Sequence, residues 1–268
     1  MDERLKIVTS FYEEVQEDTR LDRSRHGQLE FATTMEYIHR YAKPGAKLIE
    51  LGAATGRYSL ALAQEGYDVT AVELVEKNLE ILRRKAAQFP EGSLRLQAVQ
   101  GDATDLAAFP DGAFDVALSF GPMYHLYEPE EVRRTIRETI RVTKDGGVMM
   151  FAFLSVYAIL FDNYLKDTLH LGMEENFDEA YRTKHFAEQL FTGYDIVEFE
   201  ELFRDEPVEH LTTTATDTVM ELAEQRVDFS MTDEHFEEFL RYHLATCEKR
   251  ELLGASSHLL YICKKIGK

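Results

Sequence analysis

With 268 residues, 44% of them hydrophobic, the chain can bury one sizeable core, or a core plus a smaller cap, without disulfide or metal staples. Its 49 acidic and 30 basic side chains leave a formal charge of −19, which repels phosphate backbones and anionic lipid surfaces and argues against nucleic acid or a membrane as partner. The two cysteines, Cys247 and Cys263, fall on separate expected elements without metal-ligand spacing, which argues against a disulfide framework or zinc knuckle and fits a reducing cytoplasm.

The opening Met1-Asp2-Glu3-Arg4 is polar with no apolar leader core, so no secretory signal is expected. Further on, Phe31, Met35 and Ile38 align on one helical face before Tyr41. Tyr12, on an amphipathic stretch with Phe11 and Val15, reads as packing. Between these stretches the segment Arg23-Ser24-Arg25-His26-Gly27-Gln28 concentrates polar groups, with Arg20 and Arg23 read as solvated.

From Lys47 short apolar or β-branched runs alternate with helical stretches, the pattern of a parallel α/β sheet. Strands are expected at Lys47–Leu51, Asp68–Glu73, Leu94–Val99, Phe114–Ser119 and Gly147–Phe153. Helices should follow the first, second and fourth of these. The last helix, Pro129 to Val142, repeats Val132, Ile136 and Ile140 every four residues, with Pro129 suited to its first turn. Two late strands, Asp195–Phe199 and His258–Cys263, would bring the sheet to seven.

The spacing of these late strands is too wide for simple connections. We therefore expect residues 1–40 and insertions at about 155–194 and 204–256 to form a helical cap over the carboxyl ends of the strands, with residues 41–268 as the main domain. Open α/β sheets bind ligands at that edge. Within the second insertion Phe236, Leu240, His243 and Cys247 share one helical face; Asp217 reads as a helix N-cap, and Glu234, Glu237 and Glu238 as a wet face. The longest apolar stretch, Val148 to Leu165, is interrupted by Ser155, Asp162 and Asn163 and is not a membrane span.

The chemistry concentrates at the strand ends. Leu48 to Leu51 ends in the turn Gly52-Ala53-Ala54-Thr55-Gly56, which lets main-chain N–H groups approach a ligand closely. Glu73 closes the next strand, where a carboxylate can accept both hydroxyls of a ribose. Together they predict an adenosine-type cofactor. The nicotinamide fingerprint G-x-G-x-x-G has a different spacing from this turn.

Reached through these motifs, the segment from Tyr41 to Phe153 resembles the class I S-adenosylmethionine-dependent methyltransferases. The resemblance rests on the turn from Glu50 to Tyr58, on Glu73, on Gly101-Asp102-Ala103-Thr104-Asp105 and on Thr143-Lys144-Asp145-Gly146-Gly147; Ala54 stands where the turn often has a glycine. It implies a doubly wound Rossmann-like, mostly parallel sheet and an S-adenosylmethionine site that also takes the product S-adenosylhomocysteine. It further implies that Glu50 lies near the cofactor's amino group, that Gly52, Ala53 and Gly56 lie against its methionine and ribose, and that Glu73 with Leu74 holds the ribose. Asp102 and Ala103 would hold the adenine, Ser119 and Phe120 would lie under the sulfonium, and Arg25 could reach the cofactor carboxylate.

The loop Gly121-Pro122-Met123-Tyr124-His125-Leu126 falls where small-molecule acceptors bind in similar enzymes. Tyr124 and His125 are the catalytic candidates: His125 as a base because its ordinary pKa lies near neutrality, or alternatively as a brace for the following helix. His243 reads as a core residue. His39, His170, His185, His210, His235 and His258 show no paired ligand spacing, so no metal is expected. The expected activity is methyl transfer to a small molecule under the cap, against two alternatives: an RNA or protein methyltransferase, and a cofactor-binding regulator without turnover.

Overall fold

The computed structural model describes residues 3–14, 17–164, 177–186 and 190–267. Strands β1 (Lys47–Leu51), β2 (Asp68–Glu73), β3 (Leu96–Gln100), β4 (Phe114–Ser119), β5 (Thr143–Ser155), β7 (Val208–Ala215) and β8 (His258–Lys265) lie in the order β3-β2-β1-β4-β5-β8-β7, and the two-residue β6 (Gly193–Tyr194) pairs with β5. β3 to β5 run parallel; β8 is antiparallel to both β5 and β7. The strands β1, β4, β5 and β8 read as nearly continuous apolar runs because both of their faces are covered.

The connecting helices follow from the same pattern. α5 (Pro129–Val142) begins with Pro129, whose missing N–H costs nothing in a first turn, and buries Val132, Ile136 and Ile140 with Thr135 and Thr139. α3 (Arg57–Gln64) and α4 (Glu76–Ala86) pack beside β2 and β3, where Leu60, Ala71, Leu79 and Leu82 form a second apolar cluster beside the main core. Full burial of each such side chain contributes about 1.5–3 kcal/mol relative to exposure.

Three helical pieces meet away from the sheet. α2 (Arg25–Tyr41) packs against α8 (Met220–Glu224) and α9 (Asp233–Thr246) through a small core of Leu29, Met220 and Phe236. α1 (Glu3–Glu14) precedes them, α6 (Val156–Tyr164) follows β5, and the short α10 (Arg250–Leu253) precedes β8.

Two late expectations differ from the structure. Asp195–Phe199 is not a strand: Asp195 caps α7 (Ile196–Glu201), accepting from the N–H groups of Val197 and Glu198, while Glu198 reaches back to the Asp195 N–H in a capping box. The seventh strand of the main path is instead β7, inside the stretch 204–256 that was expected to be cap. Its threonines favour a pleated conformation, and pairing with β8 satisfies the backbone of that edge. Of the earlier insertion, residues 165–176, with His170, and 187–189 lie outside the described residues.

Candidate functional site

The chain leaves β1 for β2 on one side and returns with β4 on the other, so the sheet changes direction between β1 and β4. At that switch point a cleft opens beyond the carboxyl ends of the strands. Glu50, Gly52, Ala53, Glu73, Leu74, Asp102, Ala103, Phe120, Tyr124 and His125 all line it, so the tertiary structure collects most of the residues singled out by motif.

The turn after β1 is built by hydrogen bonds to its neighbour. The N–H groups of Gly52 and Ala53 both donate to the Val72 carbonyl, at 2.9 and 3.1 Å. Ala54 takes a left-handed φ of 46°, and its N–H donates to Glu73 Oε2 at 2.7 Å, while Glu73 Oε1 accepts from Val75 N–H at 2.9 Å. Glu73 thus fixes the turn as well as facing the cleft. Gly52 has φ +76°, and a side chain there would approach Pro122 to 3.0 Å, which keeps the β1 turn close to the loop after β4.

Glu50 is buried and accepts the Ser59 hydroxyl. Burial raises its pKa to about 8 against the opposing effect of the Ser59 donors, and the nearby Glu73 charge adds to the rise. It is mostly protonated at neutral pH. Asp102 behaves oppositely: despite burial, the Thr104 N–H and the Arg4 guanidinium hold it below the usual carboxylate range. Arg4 donates to Asp102 at 2.8 Å and pairs with Glu131 at 3.1 Å.

His125 is braced from two sides. Its Nδ1 lies 2.7 Å from the Leu190 carbonyl, which can only accept, so Nδ1 carries the proton and Nε2 accepts from the Tyr12 hydroxyl at 2.9 Å. Burial outweighs the Leu190 bond and lowers its pKa to about 4. At neutral pH His125 is therefore a neutral imidazole tied to Tyr12. Tyr124 donates its hydroxyl to the Phe120 carbonyl at 3.0 Å and closes the loop on itself.

Three residues expected at the cofactor are not among those lining the cleft. Arg25 binds Asp233 at 2.6 Å, the Met231 carbonyl at 3.1 Å and the face of Phe236, which ties α2 to α9. Gly56 starts α3 with φ +83° between the cleft-lining Thr55 and Arg57, and a side chain there would collide with Leu82. Ser119 is fully buried at the end of β4 and does not line the cleft.

Other residues reach the site unannounced. Arg4, Val8 and Tyr12 follow one another at four-residue spacing on α1, and all three line the cleft, so this helix face walls it. Arg20, expected to be solvated, lines the cleft and grips Glu30 with two bonds of 2.7 and 2.9 Å. Asn78, Arg57 and Tyr58 complete that side. The four-residue spacing on α1 was a visible signal; nothing local distinguished Arg20.

A buried ion-pair network lies beside the cleft. Asp217 is not a helix cap: its Oδ1 accepts from the Ser256 hydroxyl and the N–H groups of Ser257 and His258, and its Oδ2 lies 2.6 Å from His258 Nδ1. Among the described residues Glu30, Asp217 and His258 bring ligand atoms within 4.8 Å of one another, a metal-like cluster. All four carboxylate oxygens already accept protein hydrogen bonds, so the cluster is satisfied as an ion-pair chain from Arg20 to Asp217. Burial would lower the His258 pKa, but the Glu30 and Asp217 carboxylates raise it to about 9; Arg20 and His258 overcome the opposite effect of burial on Glu30 and hold it near about 2.

This sets a stability dependence. A histidine raised in the folded state stabilises fully below its unfolded pKa of ~6.5, and the contribution disappears as pH rises through about 9. Urea melts between pH 6 and 10 should show that loss in the native protein and a flatter profile in Asp217→Ala. The variant should also lose about 3–5 kcal/mol near pH 7, because the imidazolium and three donors are stranded. Equal midpoints for the two proteins at pH 7 would show the network contributes nothing.

The cleft fits an adenosyl sulfonium cofactor by the chemistry of its donor set: carboxylates at the tips of β1 and β2 and just after β3 offer acceptors for ammonium, ribose hydroxyl and exocyclic amine groups. Comparison with known proteins agrees. A family profile described as a methyltransferase domain matches residues 49–151. Demethylmenaquinone methyltransferase from Clavibacter sepedonicus is 41% identical over 104 residues, 38% of this chain and 39% of that protein. The uncharacterized methyltransferase YbaJ of Bacillus subtilis is 28% identical over 165 residues, 60% of this chain and 62% of its own length. The matched segments thus span less than two thirds of these curated relatives.

Among solved structures, a SAM-dependent methyltransferase from Thermotoga maritima superposes with a TM-score of 0.61 at 17% identity, covering 98% of this chain and 100% of that one, which speaks to the fold. No helix among the described residues is long and apolar enough to cross a membrane. With the strand-tip carboxylates, the turn after β1 and the matched profile together, residues 49–151 carry a methyltransferase domain, set in the fold of the S-adenosylmethionine-dependent methyltransferases.

Proposed function

We propose that this protein methylates a small organic acceptor, with the cofactor held by Glu50, Glu73 and Asp102 and the acceptor placed beyond the Phe120–His125 loop. The observation that carries this reading is the convergence of those three carboxylates and that aromatic loop on one cleft. Glu73 would accept the ribose hydroxyls, Glu50 the amino group and Asp102 the adenine amine; the Gly52 and Ala53 backbone, Leu74 and Ala103 would wall the cofactor, and Phe120 would face its sulfur. S-adenosylmethionine, when bound, supplies an electrophilic methyl group on a sulfonium whose departure leaves a neutral thioether.

The chain's own contribution is then alignment in a dry site. Tyr58, Phe120 and Tyr124 exclude water from the reacting side, and holding nucleophile and methyl carbon in line can remove several kcal/mol, roughly 7–11 in the best intramolecular cases, from the barrier. With His125 neutral, Tyr12 is the group able to pass a proton from an acceptor hydroxyl toward Nε2. Small-molecule methyltransferases among the relatives, those of demethylmenaquinone and of ubiquinone biosynthesis, support a small acceptor. The buried, free Cys247 and Cys263 support a cytoplasmic setting.

The direct test is calorimetry with S-adenosylmethionine and S-adenosylhomocysteine, followed by labelled-methyl transfer into a pool of small metabolites. Absence of binding by both would end the cofactor assignment, and binding without label transfer would favour a regulator. Once an acceptor is found, His125→Ala should lower kcat by about 10²–10⁴-fold while S-adenosylhomocysteine affinity changes little. An unchanged kcat would remove His125 and Tyr12 from proton handling.

A further inference from the structure

The cofactor proposed above is a zwitterion at its methionine end, and Glu50 answers only the ammonium. With His125 neutral, the cations among the described residues lining the cleft are Arg4, Arg20 and Arg57. Arg4 is committed to Asp102 and Glu131, at the end proposed for adenine. Arg57, at the start of α3, grips the exposed Asp22 and lies over the Phe31 ring at 3.7 Å. That leaves Arg20 for the carboxylate.

The fold places Arg20 accordingly. The Tyr58 phenol feels the charges of Arg20, Glu30 and Glu50 together, which sets Arg20 toward the Glu50 end of the cleft. Its backbone rests on the first turn of α2, where a Cβ on Gly27 would come within 2.7 Å of the Arg20 carbonyl, so the Arg25-His26-Gly27 stretch seats it. Its side chain is aimed by Glu30, which accepts from both terminal nitrogens at 2.7 and 2.9 Å and so fixes the plane of the guanidinium. Such a fork uses two of the five N–H groups.

Behind Glu30 the charges continue in alternation. His258 Nδ1 lies 3.8 Å from Glu30 Oε2 and 2.6 Å from Asp217 Oδ2, so the row runs Arg20, Glu30, His258, Asp217, from the cleft into the joint between β7 and β8. Apolar groups of similar volume would hold such a joint as well, so stability alone is a weak reason for gathering four largely buried charges there.

We propose that Arg20 binds the carboxylate at the methionine end of the cofactor, and that Glu30, His258 and Asp217 are positioning residues that hold its guanidinium there. This rests on the S-adenosylmethionine reading above. With Glu50 for the ammonium and Arg20 for the carboxylate, the cleft recognises an amino acid and not merely an amine.

Three ligands separate these contributions: S-adenosylhomocysteine; S-adenosyl-3-thiopropylamine, which keeps the ammonium and lacks the carboxylate; and 5′-methylthioadenosine, which lacks both. Calorimetry on the full chain at one pH should rank the first at least about tenfold above the second, and the Glu50 proton cancels because both carry the ammonium. Arg20→Ala should bring that ratio within about threefold of unity while 5′-methylthioadenosine affinity stays within about threefold of native, and Arg20→Lys should restore part of it. His258→Gln, which acts on Glu30 and not on the ligand, should cut the ratio by at least about threefold with 5′-methylthioadenosine again unmoved. A merely structural role would lower all three affinities together.

Equal affinity of the native protein for S-adenosylhomocysteine and the thiopropylamine overturns the proposal whether or not the variants fold. So does a ratio kept in Arg20→Ala and lost in Arg57→Ala. A ratio unmoved in folded His258→Gln overturns the positioning role. Native protein that binds neither S-adenosylhomocysteine nor 5′-methylthioadenosine would strike the cofactor reading itself, a result distinct from binding both without preference for the carboxylate.

Discussion

Glu73→Ala should weaken S-adenosylhomocysteine binding by about 3 kcal/mol, on the order of 100-fold. The carboxylate has two expected tasks, and alanine abolishes both. It would accept the ribose hydroxyls, and charged hydrogen bonds in a partly buried site are worth roughly 1.5–3 kcal/mol each. It also holds the Ala54 N–H at 2.7 Å and the Val75 N–H at 2.9 Å, so its removal frees a turn whose Ala54 occupies a left-handed conformation that a residue with a Cβ adopts reluctantly. Glu73→Gln keeps one carbonyl oxygen and should lose about tenfold. Calorimetry at fixed pH decides it. Unchanged affinity in Glu73→Ala would place the ribose elsewhere.

Binding should also release a proton. Glu50 has a pKa of about 8 without ligand, raised first by burial and further by the neighbouring Glu73, so at pH 6.5 it is neutral. A ligand ammonium favours the carboxylate and drives the proton off. Close to one proton should leave per S-adenosylhomocysteine bound at pH 6.5, falling toward none above pH 9, and affinity should rise by up to about tenfold per pH unit until pH 8. Calorimetry in phosphate and in Tris reads the released proton as a difference in heat. Glu50→Gln should abolish that difference. If native protein gives the same heat in both buffers, Glu50 is already ionised or does not meet the amino group.

The amino-terminal helix that walls the cleft engages two other groups of the same site. Arg4 already occupies one oxygen of Asp102, and Tyr12 already occupies His125, so α1 is held against the site by the same groups proposed to serve cofactor and acceptor. A cofactor amine arriving at Asp102 shares that carboxylate with Arg4, whose second partner, Glu131, lies on α5.

What the chain announces by itself is local. The apolar run from Leu48 to Leu51, the small-residue turn and the carboxylate at Glu73 are readable because strand, turn and helix each leave a short-range pattern, and the hydrogen bonds from Gly52, Ala53 and Ala54 to β2 follow from that geometry. α5 matches its expected bounds because fourteen residues carry several helical periods. Five residues at Asp195 carry barely one: a short apolar run of that length suits strand and helix alike, and the deciding signal was the capping pair Asp195 and Glu198. β7 fell within the stretch expected to be cap, and its place in the sheet depends on pairing with β8, which local sequence does not show.

Tertiary structure alone decided which polar residues meet. Arg25 and His26 look like ligand groups in sequence, yet Asp233 and Glu224, some two hundred positions away, engage them. Glu30, Asp217 and His258 each looked ordinary until α2 and the end of β7 were brought against the start of β8. Backbone preference acts over a few residues and is written in each stretch of chain, whereas the pairing of buried charges depends on which surfaces the folded core presses together.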